Sequence, residues 1–112
     1  MKDFDEFLCP GKRGHLVGIG GVSMSPLAEV LSGMGLIIRG SDMNQSDNVD
    51  HLLEKGIDVT IGHSAQNIDS SLDFVVRTAA ARDDNPEIVE ARRLGIPVYE
   101  RTQAWGAIMK DY

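Results

Sequence analysis

The stretch Gly18-Ile19-Gly20-Gly21-Val22-Ser23-Met24-Ser25 decides the reading of this chain. It ends the apolar run His15-Leu16-Val17-Gly18-Ile19 and precedes Leu27, Ala28, Val30, Leu31 and Met34, which are spaced as one helix face. A glycine turn between a strand and a helix is a setting in which backbone approaches a phosphate, because glycine puts no Cβ in the way. Amides at the helix start then point at the anion, and Ser23 and Ser25 add hydroxyl donors. The third glycine of a GxGxxG fingerprint would fall at position 23, where this chain has Ser23. The same turn would also serve only to pack the strand against its helix. Asp42 lies 22 positions after Gly20, near the roughly 20-residue offset of an acid that holds a ribose. An acid there is otherwise a turn residue, so the glycine turn is what gives Asp42 its reading as a nucleotide ligand.

Working outward, the strand–helix alternation continues. Leu36-Ile37-Ile38-Arg39-Gly40 is a β-branched run and predicts the second strand, with Gly33 and Gly35 stopping the helix before it. Val49, Leu52 and Leu53 form the next helix face, with Ser46 or Asp47 as its cap and Gly56 as its stop. Ile57-Asp58-Val59-Thr60-Ile61-Gly62 alternates, as a strand near a sheet edge does. Asp73-Phe74-Val75-Val76-Arg77 is the fourth strand. Asp84 or Asn85 caps a third helix with Pro86 in its first turn, Glu87 favouring the helix dipole, and Ile88, Val89, Ala91 and Leu94 inward. Ile96-Pro97-Val98-Tyr99 is an edge strand, since Pro97 cannot donate to a ladder. Thr102 caps a last helix carrying Ala104, Trp105, Ile108 and Met109. Five strands with crossovers imply an α/β fold, a parallel sheet with helices on both faces. Residues 1–12 fit no element well and read as a leader or weakly packed cover, with Phe4 and Phe7 leaving room for self-association.

Length and charge narrow the function. A chain of 112 residues is one domain, too short for a two-substrate enzyme with its own nucleotide-hydrolysing domain. Eleven Lys and Arg against 17 Asp and Glu argue against a duplex nucleic-acid binder. One cysteine, Cys9, excludes an intrachain disulfide and a CxxC metal cluster. No apolar run reaches the roughly 18 residues of a membrane span, and the acidic start Asp3-Phe4-Asp5-Glu6 is unlike a signal peptide. These features predict a cytoplasmic domain. No GK[ST] phosphate loop, nucleophile elbow, paired carboxylates or metal-ligand spacing is present, so no catalytic residue and no metal ligand is assigned. Strand ends carry Ser41, Asp42, His63, Ser64, Arg77, Thr78 and Arg82, and open α/β sheets bind ligands there. His63 reads evenly as a surface histidine or as a donor to a phosphate or base oxygen.

The glycine stretch with Leu27-Ala28-Glu29, then Gly40-Ser41-Asp42, Ile61-Gly62-His63-Ser64-Ala65-Gln66-Asn67-Ile68, Thr78-Ala79-Ala80, Asp84-Asn85-Pro86-Glu87-Ile88 and Gly95-Ile96-Pro97-Val98 resemble, in order and spacing, the N-terminal segment of the UDP-N-acetylmuramate–L-alanine ligases of the Mur ligase family. The resemblance covers 13–112. It implies a three-layer α/β/α Rossmann-like domain with a five-stranded parallel sheet, holding the UDP part of UDP-N-acetylmuramate. It implies cytoplasmic three-domain enzymes of peptidoglycan synthesis that use ATP and magnesium, through an acyl-phosphate, to add L-alanine. The ATP-binding central domain and the C-terminal domain are absent from this chain, so it would not catalyse ligation alone and would itself hold no cofactor.

Carried onto this sequence, the resemblance implies that backbone at Gly18, Gly20, Gly21, Val22 and Ser23 cradles the diphosphate, extended by Met24 and Ser25. Ser41 and Asp42 would hold the uridine, His63 would line the uridine or phosphate pocket, and Thr78, Ala79 and Ala80 would line the opposite wall. Three positions depart from the family pattern: Pro26 replaces a glycine, Ala79 a frequent serine, and Arg77 an apolar or aromatic residue. The competing readings are a free-standing NAD-binding or regulatory module, and a fold-only interaction domain.

Overall fold

Five short apolar runs become five parallel strands: β1 Arg13–Val17, β2 Ile37–Asp42, β3 Asp58–Ile61, β4 Phe74–Arg77 and β5 Val98–Glu100. The computed structural model describes residues 3–110. The strand order is β3-β2-β1-β4-β5, which places Asp58–Ile61 and the Pro97 strand at the two edges, as their patterns predict. β1 sits at the centre, and the chain reverses its direction of winding between β1 and β4.

Four helices complete the layers: α1 Met24–Gly33, α2 Asp47–Glu54, α3 Pro86–Arg93 and α4 Arg101–Met109. Period-two alternation splits each central strand between two cores. Leu16, Ile38, Phe74 and Val76 pack with α1, α2 and α4 on one face. Val17 and Val75 pack with Ile88 and Ala91 of α3 on the other. The caps follow local chemistry. The Ser46 Oγ accepts from the Val49 N–H at 3.2 Å, and the Asn85 Oδ1 accepts from the Glu87 N–H at 2.9 Å. The last helix differs from expectation. Its cap is Glu100, one residue before Arg101, in a reciprocal box with Gln103, and Thr102 lies inside the helix. A Glu three residues before a Gln satisfies two orphan amides where a threonine hydroxyl would satisfy one.

The second strand also runs further than its apolar run suggested. Ser41 and Asp42 belong to β2, paired with Thr60 and Ile61 of β3. Backbone pairing continues past the last β-branched residue because both neighbouring strands extend alongside it.

The α3 face is thinly covered. The link from β3 to β4 contains only a 3-10 turn, Ala65–Asn67, where the other crossovers have an α-helix. Ile68 and Leu72 of this link are buried, but the space over β2 is filled by polar side chains.

The segment before β1 is more than a loose cover. Met1 and Lys2 lie outside the described residues, but Phe4–Phe7 form a 3-10 turn with both phenylalanines buried. The Phe4 ring stands edge-on to Phe74 at 4.9 Å and to Tyr99 at 5.2 Å. Gly14 makes room for this cluster, since a Cβ there would lie 2.2 Å from the Phe74 ring. Both rings thus face the core. Phe4→Ala is expected to lower the unfolding free energy by about 3–5 kcal/mol, measured by urea denaturation. A loss under about 1 kcal/mol would show that the cluster is peripheral.

Candidate functional site

The chain leaves β1 in a loop whose amides are nearly all committed within the protein. The Gly18 and Ile19 N–H groups both donate to the Ser41 carbonyl, at 2.8 and 3.0 Å. The Gly20 N–H donates to the Asp42 Oδ2 at 2.9 Å, and the Asn48 side chain donates to the Gly20 carbonyl. A Cβ on Gly20 would lie 2.9 Å from that same Oδ2 and from a Val49 methyl, so only glycine admits this close approach. The Gly21 N–H donates to the Gly18 carbonyl, and those of Met24 and Ser25 donate to the Gly21 carbonyl. Among the described residues, the Val22 and Ser23 amides are the loop's two uncommitted donors. They sit where α1 begins, at the positive end of its dipole.

From the other side α4 fastens the loop. The Trp105 indole N–H donates to the Ser23 carbonyl at 3.2 Å, and Arg101 donates to the Ser23 hydroxyl at 3.4 Å. Pro26 is the third residue of α1 and is exposed. It removes one of the first-turn amides that have no intrahelical partner, so α1 still begins at Met24.

A crevice of about 400 Å³ opens at the carboxyl ends of the central strands. Gly18, Gly21, Asp42, His63, Thr78 and Ala80 line it, joined by Met43, Ala81, Arg82, Asp84 and Asn85. Gly20 is held behind Asp42, and Val22 and Ser23 form the loop beside the crevice rather than its lining. Met24, Ser25 and Ser41 are buried. Ala79 faces a neighbouring hollow with Arg77. Arg77 pairs with Asp83 at 2.5 Å and donates to the Ala81 carbonyl, so its charge is neutralised off the crevice. Arg82, 84% exposed, is the cation among the lining residues.

Beneath the crevice lies a residue that helix patterning hid. Glu87, in the first turn of α3, is fully buried. Its Oε1 accepts from the Ser41 Oγ at 2.5 Å and lies 2.8 Å from the His15 Nε2. Its Oε2 accepts from the Ser64 N–H at 3.1 Å and the Asn67 side-chain amide at 2.6 Å. Four donors fill the four acceptor positions of a carboxylate. The Ser41 Oγ lies 2.9 Å from the His63 Nδ1, which extends the network to the crevice wall. One signal for this hub is present in the sequence: a histidine in the middle of the apolar β1 run needs a buried partner.

Burial pushes the Glu87 carboxyl up, but the hydrogen bond and attraction of His15, then the bonds of Ser41 and Asn67, outweigh it and hold the group at about 2. The ordinary value is 4.5. The unfolded chain therefore takes up this proton first as pH falls. The stability from Glu87 is complete above about pH 4.5 and is lost toward pH 2. Its size is about 3 kcal/mol. Urea denaturation at pH 7 and pH 3 is expected to show a loss of about 2 kcal/mol from this group in the wild type and a smaller pH dependence in Glu87→Gln. Equal pH dependence in the two proteins would contradict the assignment.

The sequence pattern described as the Mur ligase family, catalytic domain, matches residues 13–112. The UDP-N-acetylmuramate–L-alanine ligase of Acetivibrio thermocellus is 48% identical over 101 residues, 90% of this chain and 21% of that protein. The crystal structure of the UDP-N-acetylmuramate-alanine ligase from Thermotoga maritima matches with a TM-score of 0.84 and 36% identity, over 88% of this chain and 23% of that one. The UDP-N-acetylmuramate:L-alanyl-gamma-D-glutamyl-meso-diaminopimelate ligase from Neisseria meningitides matches at 0.72 and 30%, over 81% and 29%. This chain spans about a fifth of the length of the curated relatives it matches. With its five-stranded sheet, glycine loop and near-complete sequence match, the chain belongs to the Mur ligase family.

Proposed function

We propose that this chain is the UDP-N-acetylmuramate-holding domain of a cytoplasmic, ATP-dependent ligase that adds L-alanine to that nucleotide sugar in peptidoglycan synthesis. One observation carries the reading. The Thermotoga and Neisseria ligases differ in the group their names attach, yet both names contain UDP-N-acetylmuramate, and this fold is common to both. The shared domain fits the shared substrate.

Residues 13–112 then form the substrate domain, with 1–12 as its leader. The diphosphate lies on the Val22 and Ser23 amides at the start of α1, where backbone donors and the helix dipole favour an anion. Asp42 keeps acceptor capacity beyond its bonds to the Gly20 and Asn44 amides, and it takes ribose hydroxyls. That capacity suits the uridine end and not the phosphates, which the Asp42 carboxylate would repel. Thr78 and Ala80 form the facing wall. Ser41, Met24 and Ser25 support the site from inside rather than touching ligand. The GK[ST] loop that would hold ATP phosphates is not in this sequence. ATP, magnesium and L-alanine belong to parts of the enzyme outside this chain.

Calorimetric titration with UDP-N-acetylmuramate tests the reading, with NAD and ATP as controls. Saturable binding of the nucleotide sugar alone is expected. Asp42→Ala is expected to weaken it about 10- to 100-fold, because a charged acceptor that orders the loop is lost. The single tryptophan, bonded to the Ser23 carbonyl, is expected to change its emission as the loop engages ligand. Tighter binding of NAD than of the nucleotide sugar would overturn the reading in favour of a dinucleotide module.

A further inference from the structure

We propose that Glu87 is a positioning residue for the crevice. Acting through the Ser41 hydroxyl, it fixes the hydrogen of His63 on Nδ1 and turns the Nε2 lone pair toward the ligand. The ligand consequence rests on the reading of the crevice given above, whereas the hydrogen placement stands on the network alone.

Ser41 has one hydroxyl hydrogen and two acceptors in range, Glu87 Oε1 at 2.5 Å and His63 Nδ1 at 2.9 Å, while His15 Nε2, 3.5 Å away, carries the hydrogen it gives to Glu87. The carboxylate is both the shortest contact and the charged acceptor, so it takes the hydrogen. Ser41 then faces His63 with lone pairs only, and the bond forms only if Nδ1 brings the hydrogen. Glu87 Oε1 lies 3.7 Å from Nδ1, beyond hydrogen-bond distance, so the Ser41 hydroxyl carries the link. A neutral imidazole carries one N–H, so its Nε2 is an acceptor. Nδ1 is turned into the protein, while the ring lines the crevice and keeps 14% exposure. The open side of the ring carries Nε2.

Recognition follows from this arrangement. A group placed against Nε2 must bring its own hydrogen. A ribose hydroxyl or a ring N–H of a pyrimidine base fits, and a phosphate oxygen does not. The donor role toward a phosphate or base oxygen, open from the sequence, is thereby replaced by an acceptor role. Glu87 touches no ligand. It is pinned by the Ser64 amide and Asn67, so the loop that carries His63 and the ring orientation depend on one buried group.

Long-range proton–nitrogen correlation spectra of the ¹⁵N-labelled, ligand-free chain at pH 8 read the hydrogen placement directly. His63 is assigned by comparison with His63→Gln. The wild type is expected to favour the Nδ1–H form by about ten-fold or more, the effect of a hydrogen bond to a charge-polarised acceptor. Ser41→Ala is expected to abolish the preference and leave the Nε2–H form in the majority, as in free histidine. In Glu87→Gln the amide can turn the Ser41 hydroxyl toward Nδ1, with the same inversion. A wild type in the Nε2–H form, or an Nδ1–H form that persists in Ser41→Ala, would overturn the proposal. If Glu87→Gln does not fold, Ser41→Ala decides. Separate titration with UDP-N-acetylmuramate keeps the two readings distinguishable. No binding beside an Nδ1–H His63 would sink the ligand assignment and leave the positioning role standing.

Discussion

A carboxylate with no access to solvent governs this domain. Removing an ion from water is costly, and the cost is offset only if every acceptor position is filled. Glu87 meets that condition with four groups from three parts of the chain: His15 on β1, Ser41 on β2, and Ser64 and Asn67 on the link from β3 to β4. Loss of one partner would leave a buried charge short of a donor, so these segments are held to one another more strictly than apolar contacts would hold them. The network occupies the face of β2 where the crossover lacks an α-helix. Polar satisfaction there does what helix packing does elsewhere in the sheet.

Much of this architecture is legible in the residues, because it follows from local periodicity. Leu16 and Val17 alternate between faces, Gly56 and Gly95 close helices, and Pro97 marks an edge. Glu87 shows the limit of such reading. At the start of α3 it looks like an acid placed for the helix dipole, which accounts for it without any partner. Its real contacts lie up to 72 positions away in the chain. No local pattern distinguishes an acid that faces water from one that faces a buried histidine. The same holds for Phe4 and Phe7. Their spacing is too short to show a period, and the rings that cover them, Phe74 and Tyr99, come from the far half of the sequence.

The glycine loop is legible in a different way. Glycine content and position located it, and the spacing to Asp42 located its partner acid. Which amides remain free was not legible, because that depends on where each peptide plane turns. Internal acceptors take the amides of Gly18, Ile19, Gly20, Gly21, Met24 and Ser25. Two donors are left from a stretch in which every backbone group looked available. Asp42 takes part in this selection, since by holding the Gly20 amide it orients the peptide that leads toward the free pair.

Ser41 and Asp42 make the point most sharply. In sequence they are neighbours after a β-branched run, and the family resemblance implies a uridine contact for both. In the structure both belong to β2, where successive side chains leave opposite sides of the sheet. That parity lets only one of them reach the glycine loop and the crevice. Asp42 does so, and Ser41 is turned inward to Glu87. The inward residue is not thereby idle. Its hydroxyl has one hydrogen to give, and giving it to Glu87 determines what His63 must do on the other side. A strand end of two residues thus supplies a contact at the crevice and a control behind it, and the division follows from backbone geometry alone.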